Sequence, residues 1–379
     1  MIDNPWARPR CARCSMPDST TTPTTTPTTT PWPALPDLAP CGDAALRAHV
    51  QAALDAKTKP LGALGRLEVL ALQLACALGH ERPRLHAPQL VVFAADHGIA
   101  AQGVSAYPAE VTRQMVLNFL AGGAAVSVLA RQHGIAMTVA DCGVAAEFDA
   151  HPQLRRLKVE GAERGSADSS RGPAMSTAQC AAAIANGRRL VAALPGNALL
   201  LGEMGIANTS AAALLMARLT HEPLELCVGR GTGLDDAGLA HKRAVLQLAL
   251  AANADATAPL PALAALGGLE IATMVGAVQQ AGGEGRVIVV DGFITTAAVA
   301  VAAALQPELL PRCVFAHRSQ ETGHARWLQH LGAAPLLDLD LRLGEGSGAA
   351  LAWPLLESAC RVLDEMASFA SAGVSQRHG

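Results

Sequence analysis

Glu345 stands in Leu343-Gly344-Glu345-Gly346-Ser347-Gly348, between an aspartate-bearing apolar run at 335–340 and an apolar helical pattern over 349–366. Glycines admit backbone conformations closed to other residues and let a ligand approach the main chain. A glutamate held there, near low-dielectric surroundings, gains a raised pKa and the means to act as a general base. A surface glutamate in a turn is the plain alternative. Glu203 ends the apolar run 198–203 and is followed by Met204, Gly205, Ile206, Ala207, Asn208, Thr209 and Ser210. Small residues and hydroxyls at a helix N-terminus form an anion-binding turn, or simply cap the helix. Gly229-Arg230-Gly231-Thr232-Gly233, with Lys242 and Arg243 in the helical stretch beyond, has the composition of a phosphate cradle. It is not the dinucleotide fingerprint, which needs Gly-x-Gly-x-x-Gly and an acidic residue about 20 positions on.

Further polar groups follow apolar runs. Asp96-His97 closes 90–95 and reads as a metal or acid–base pair, or as a structural Asp–His hydrogen bond. No third ligand stands at metal spacing, so neither a metal nor a cofactor is expected. Asp291-Gly292-Phe293 closes 286–290, and His317-Arg318-Ser319 closes 313–316. Glu270 opens a helical stretch, as a catalytic group or as a charge favoured by the helix dipole. Tyr107, the only tyrosine, either caps a core edge or lines a flat apolar ligand site. Lys57 and Arg66 are solvated charges or cations that reach an anionic ligand.

The elements that must position these residues are strands and helices in alternation. Leu90-Val91-Val92-Phe93-Ala94-Ala95 is the continuous apolar pattern of a strand buried on both faces. Runs at 137–143, 198–203, 286–291 and 313–319 repeat it, and 151–176 reads as an irregular surface excursion. At least five strand–loop–helix units favour a mostly parallel, Rossmann-like α/β sheet with one ligand crevice at its carboxyl edge. Asp43 is placed to cap a helix over 44–55, and Leu67, Leu70, Leu74 and Leu78 recur at helical spacing. Four segments are expected: a disordered Thr/Pro-rich tail at 1–42, a helical segment at 43–85, an α/β domain at 86–345, and a C-terminal helix with a short tail at 346–379. The second and fourth would form a smaller helical lobe.

Composition narrows the function. The 379 residues carry a formal charge of −3 and only 3% aromatics, so neither a basic nucleic-acid footprint nor a stacking surface is expected. No membrane span and no secretory signal are read. Nine cysteines without framework spacing, Cys11 and Cys14 among them, read as reduced and cytoplasmic.

Several motifs in order resemble one family. Lys59-Pro60-Leu61-Gly62-Ala63-Leu64-Gly65, Asp96-His97-Gly98, the 202–210 and 229–233 stretches, Val289-Val290-Asp291-Gly292-Phe293, His317-Arg318-Ser319-Gln320-Glu321 and the Glu345 loop resemble nicotinate-nucleotide–dimethylbenzimidazole phosphoribosyltransferases over about 43–368. The chain departs from the family pattern in Ala207, for glycine, and in Ser210 and Ser347, for threonine. The resemblance implies transfer of 5-phosphoribosyl from nicotinate mononucleotide to 5,6-dimethylbenzimidazole by a cytoplasmic homodimer. Glu345 would be the base, with Glu203 as a second catalytic carboxylate. Tyr107, Met204 and Leu343 would line the pocket for the flat base, and residues 205–210 and 229–233 would hold the phosphate. Substrate contact would extend to Gln114, Lys242, Asp291, Gly292, Phe293, Ser319, Gly346 and Ser347. A non-catalytic nucleotide-binding module of the same fold is the alternative; a dehydrogenase lacks its fingerprint.

Overall fold

The computed structural model describes residues 31–375. Most of the Thr/Pro tail and the Cys11/Cys14 pair lie outside the described residues. Six strands, β1 Gln89–Ala95, β2 Ala136–Gly143, β3 Leu154–Arg156, β4 Ala198–Met204, β5 Val287–Val290 and β6 Cys313–Phe315, form one sheet in the order β3-β2-β1-β4-β5-β6. Every pairing is parallel, which confirms the expected α/β class. β3 was not expected: three residues within the irregular 151–176 stretch, Leu154 alone of them buried, leave too short a pattern to read.

Side chains alternate across a strand, and the two cores follow that parity. Val91, Phe93, Leu199, Leu201, Ile288 and Val290 face the helices Thr177–Ala192, Asn208–Thr220, Leu269–Gly283 and Phe293–Leu305. Leu90, Val92, Leu200 and Val289 face the other way, with Leu54, Leu70, Leu74, Trp353 and Leu356. Those last five belong to the helices Ala44–Asp55, Arg66–Leu78 and Ser347–Glu365. The N- and C-terminal helices therefore lie together and share one core with the sheet. Asp43 does cap the first of them, accepting from the Leu46 amide at 2.8 Å.

The segment 31–42 has no helix or strand but is anchored, so the expected disorder does not extend over it. Trp32 and Leu38 pack on the core. Arg188 donates to the Ala34 carbonyl (2.7 Å), and buried Arg312 donates to those of Ala39 and Pro40 (2.7 Å each). The apolar stretch Glu110–Gln132 passes a length test for a membrane span. It is two helices, Glu110–Leu120 and Ala125–Gln132, whose Val116, Phe119, Val126 and Ala130 are buried in the core.

Strand order reverses between β1 and β4. In open parallel sheets that reversal splits the loops at the carboxyl ends and opens a crevice. Glu203 lies at the tip of β4, paired in register with Phe93 of β1.

Candidate active site

The loop that carries Glu345 is locked onto the strand tips. Asp291, one residue past β5, accepts hydrogen bonds from the amides of Gly346 (3.2 Å) and Ala349 (2.9 Å). It thereby caps the helix Ser347–Glu365, whose N-terminus favours a negative charge. Gly344, Glu345 and Gly346 have φ of 78°, 66° and 90°. For glutamate that left-handed conformation costs about 1–2 kcal/mol, and close contact holds it. A Cβ on Gly202 would stand 2.3 Å from the Glu345 carbonyl oxygen, and one on Gly344 2.3 Å from Glu203 Oε1. The Glu203 carboxylate packs against Gly344, beside the Glu345 amide, and accepts from Asn208 Nδ2.

Both carboxyls are buried and both are raised. Burial, and then the Asp291 charge, pushes Glu345 up to about 7. Burial, Asp291 and Glu270 push Glu203 up to about 8, against the hydrogen bond from Asn208. A carboxyl raised toward neutrality is matched to taking up and giving back a proton near pH 7.

Across the cleft, a Cβ on Gly231 (φ 54°) would stand 3.1 Å from Thr209 Oγ1 and 3.4 Å from Lys242 Nζ. Lys242 is 1% exposed and donates to Thr209 Oγ1 at 2.9 Å. Burial lowers its pKa to about 8, partly offset by Glu321. The glycine-rich turn, one hydroxyl and one buried ammonium thus meet at the N-terminus of the helix Asn208–Thr220, the arrangement that holds a phosphate. Arg230 is not part of it; the side chain turns to Asp236 and the Leu234 carbonyl.

One cleft unites these parts. Glu203, Glu345, Met204, Gly205, Ile206, Asn208, Thr209, Gly231, Thr232, Gly292, Phe293, Ser319 and Leu343 all line it, and Lys242 lies just behind Gly231 and Thr209. A surface groove of about 820 Å³ between the helix Arg66–Leu78 and β6 carries none of these groups.

A family model described as phosphoribosyltransferase matches residues 40–374. The chain belongs to this family. A protein of Variovorax paradoxus (strain S110) named nicotinate-nucleotide–dimethylbenzimidazole phosphoribosyltransferase is 65% identical over 343 residues, covering 90% of this chain and 97% of that one. One of the same name from Cupriavidus necator is 60% identical, covering 90% and 98%. The crystal structure of CobT from Thermus thermophilus superimposes with a TM-score of 0.84 at 43% identity, over 88% of this chain and all of that one. The chain is thus an enzyme of phosphoribosyl transfer.

Not every expected contact of this phosphoribosyltransferase faces the cleft. Tyr107 is 53% exposed, Gln114 is exposed on the helix Glu110–Leu120, and these two with Gly233 lie outside the lining. Asp291, Gly346 and Ser347 are buried behind it, where Asp291 fixes the Glu345 loop. The Asp96–His97 pair is also corrected. His97 Nε2 meets Glu270 Oε1 at 2.7 Å, both side chains wholly buried, whereas Asp96 accepts from the Ala145 amide at 2.8 Å. Lys57 donates to the Met366 carbonyl and Arg66 to those of Ala334 and Pro335, away from the cleft. Among the described residues, no group of three His, Cys, Asp or Glu side chains could hold a metal ion.

Sequence reasoning passed over Ile294, His317, Glu321, Arg342 and Gly344 as lining residues. The signal for His317 and Glu321 was their place on either side of Ser319, just past β6. His324 supports that segment. Its Nδ1 accepts from the Ser319 amide at 2.8 Å and its Nε2–H meets Thr296 Oγ1 at 3.0 Å. Burial depresses its pKa to about 3, so the ring stays neutral.

Proposed function

We propose that this enzyme transfers the 5-phosphoribosyl group of nicotinate mononucleotide to 5,6-dimethylbenzimidazole, giving α-ribazole 5′-phosphate, the lower-ligand nucleotide of cobalamin, and nicotinate. One observation carries the assignment of roles: the buried, raised Glu345 carboxylate shares a cleft with the Gly231–Thr209–Lys242 anion cradle. A phosphate held in the cradle fixes the ribose, so the reaction becomes a matter of placement. One benzimidazole nitrogen forms the bond to the anomeric carbon. The bond from that carbon to the pyridinium nitrogen breaks and its electron pair neutralises the departing ring, so no acid is needed there. Attack opposite the leaving group turns a β substrate into an α product. Positive charge grows on the benzimidazole, and its other N–H gives its proton to Glu345. Glu203 acts through Glu345: its carboxyl packs against Gly344, beside the Glu345 amide, and supports the loop in its left-handed turn. Met204, Ile206 and Leu343 supply apolar surface for the flat ring.

No observation favours the non-catalytic alternative. A homodimer in the cytoplasm is the setting the resemblance implies, and sedimentation at twice 38.9 kDa checks the first part. Incubation with nicotinate mononucleotide and a panel of benzimidazoles, purines and phenols tests the reaction. Free nicotinate and an α-configured product are expected with 5,6-dimethylbenzimidazole; no nicotinate with any base sinks the reading.

A further inference from the structure

Glu321 is a half-buried acid with no part in the chemistry above, yet it lines the cleft beside the anion cradle. Its carboxylate lines the same cleft as Gly231 and lies within electrostatic reach of the Gly231 amide, a donor that a phosphate would use. A Cβ on Gly229 would stand 2.4 Å from Glu321 Oε2, so the carboxylate lies directly on the glycine-rich turn. Its own amide is held by Ser319 Oγ at 3.3 Å, on a segment that His324 fixes. The charged groups that face it are Lys242, from the helix Asp236–Ala252, and Arg342, from the loop before Glu345. Burial raises the acid, opposed by Lys242, the Gly231 amide and Arg342.

We propose that Glu321 stands in for phosphate in the free enzyme, neutralising Lys242 beside the Gly231 amide until an anion displaces it or forces a proton onto it. The inference rests on the cradle assigned under the proposed function. A buried ammonium and free turn amides would otherwise attract any small anion; a tethered carboxylate sets a threshold that favours a ligand held at several further points. Two consequences follow from charge alone. Binding of a dianion beside Glu321 raises its pKa, so the complex takes up a proton. Removing the charge while keeping the shape makes anion binding tighter.

Calorimetry with sulfate, a dianion that does not titrate, tests this at pH 6 in buffers of different ionisation enthalpy, with nicotinate mononucleotide as a second ligand. The wild-type protein should take up protons on binding sulfate. Glu321→Gln should bind sulfate at least tenfold more tightly, about 1.4 kcal/mol, with reduced proton uptake. Equal or weaker binding by a normally melting Glu321→Gln would overturn the inference, because Glu321 would then be a latch on the turn. Absence of proton uptake by the wild-type protein would overturn it without any variant. Tight nicotinate mononucleotide binding in both proteins with no difference between them sinks the stand-in alone. Failure of wild-type protein to bind nicotinate mononucleotide sinks the underlying function as well.

Discussion

Glu203, near the tip of β4, and Glu345, in the loop before the helix Ser347–Glu365, are one residue type whose surroundings set different tasks. Glu203 is held by Asn208, and burial pushes its carboxyl up to about 8 from a usual 4.5. The folded state therefore holds this proton more tightly than the unfolded chain. Its stabilising contribution is complete below 4.5 and is lost as pH rises through about 8. Glu203→Gln copies the protonated form. It should melt with the wild type near pH 4.5 and above it at pH 8.5, by about 2–4 °C or more; an equal difference at both pH values would contradict the account. Ala207, at φ 77° just before the helix Asn208–Thr220, carries a methyl in a conformation that suits glycine. Ala207→Gly removes about 1–2 kcal/mol of strain but adds about 0.5–1 kcal/mol of chain entropy. A rise in melting temperature of about 2 °C is expected, and a fall would show that the turn is not strained.

Among the elements, the most legible were those with long or doubly buried patterns. β1 is apolar along its whole length because both faces are covered, and Asp43 announces the helix Ala44–Asp55 by its capping oxygen. The carboxyl edge as the site followed from polar residues closing each strand. What could not be read was set by contacts far apart in the chain. Nothing local tells Asp291 to cap a helix that begins 56 residues later, or His97 to find Glu270. Leu224–Cys227 forms a single helical turn before the glycine-rich stretch, too short to carry a period. The cradle itself makes a prediction. Gly231→Val would drive a branched side chain against Thr209 Oγ1 and Lys242 Nζ and force a left-handed φ on valine. Nicotinate mononucleotide affinity should fall at least about a hundredfold, on the order of 3 kcal/mol, while dimethylbenzimidazole still binds. Unchanged nucleotide affinity would move the cradle elsewhere.

For the whole molecule, anchored chain is already present at residues 31–42. Composition assigned that segment to the disordered tail, because Pro-rich chain carries no helical or strand period even where it is bound. A protein starting at Pro31 should melt and turn over like the full chain. One starting at Asp43 loses Trp32, Leu38 and the carbonyl partners of Arg188 and buried Arg312. Each lost bond to a charged group costs about 1.5–3 kcal/mol, so a clear drop in melting temperature is expected; equal melting would make the segment dispensable. The sheet reversal, the Asp291 cap and the Gly202–Glu345 contact converge on placing one carboxylate opposite the cradle. Turnover of Glu345→Gln, followed by nicotinate release across pH 5–9, tests that claim most directly. The wild-type rate should rise with pH through about 7. The variant should be slower by on the order of 10²–10⁴, bind both substrates and lose that rise. Near-native turnover that keeps the same pH limb would contradict Glu345 as the base.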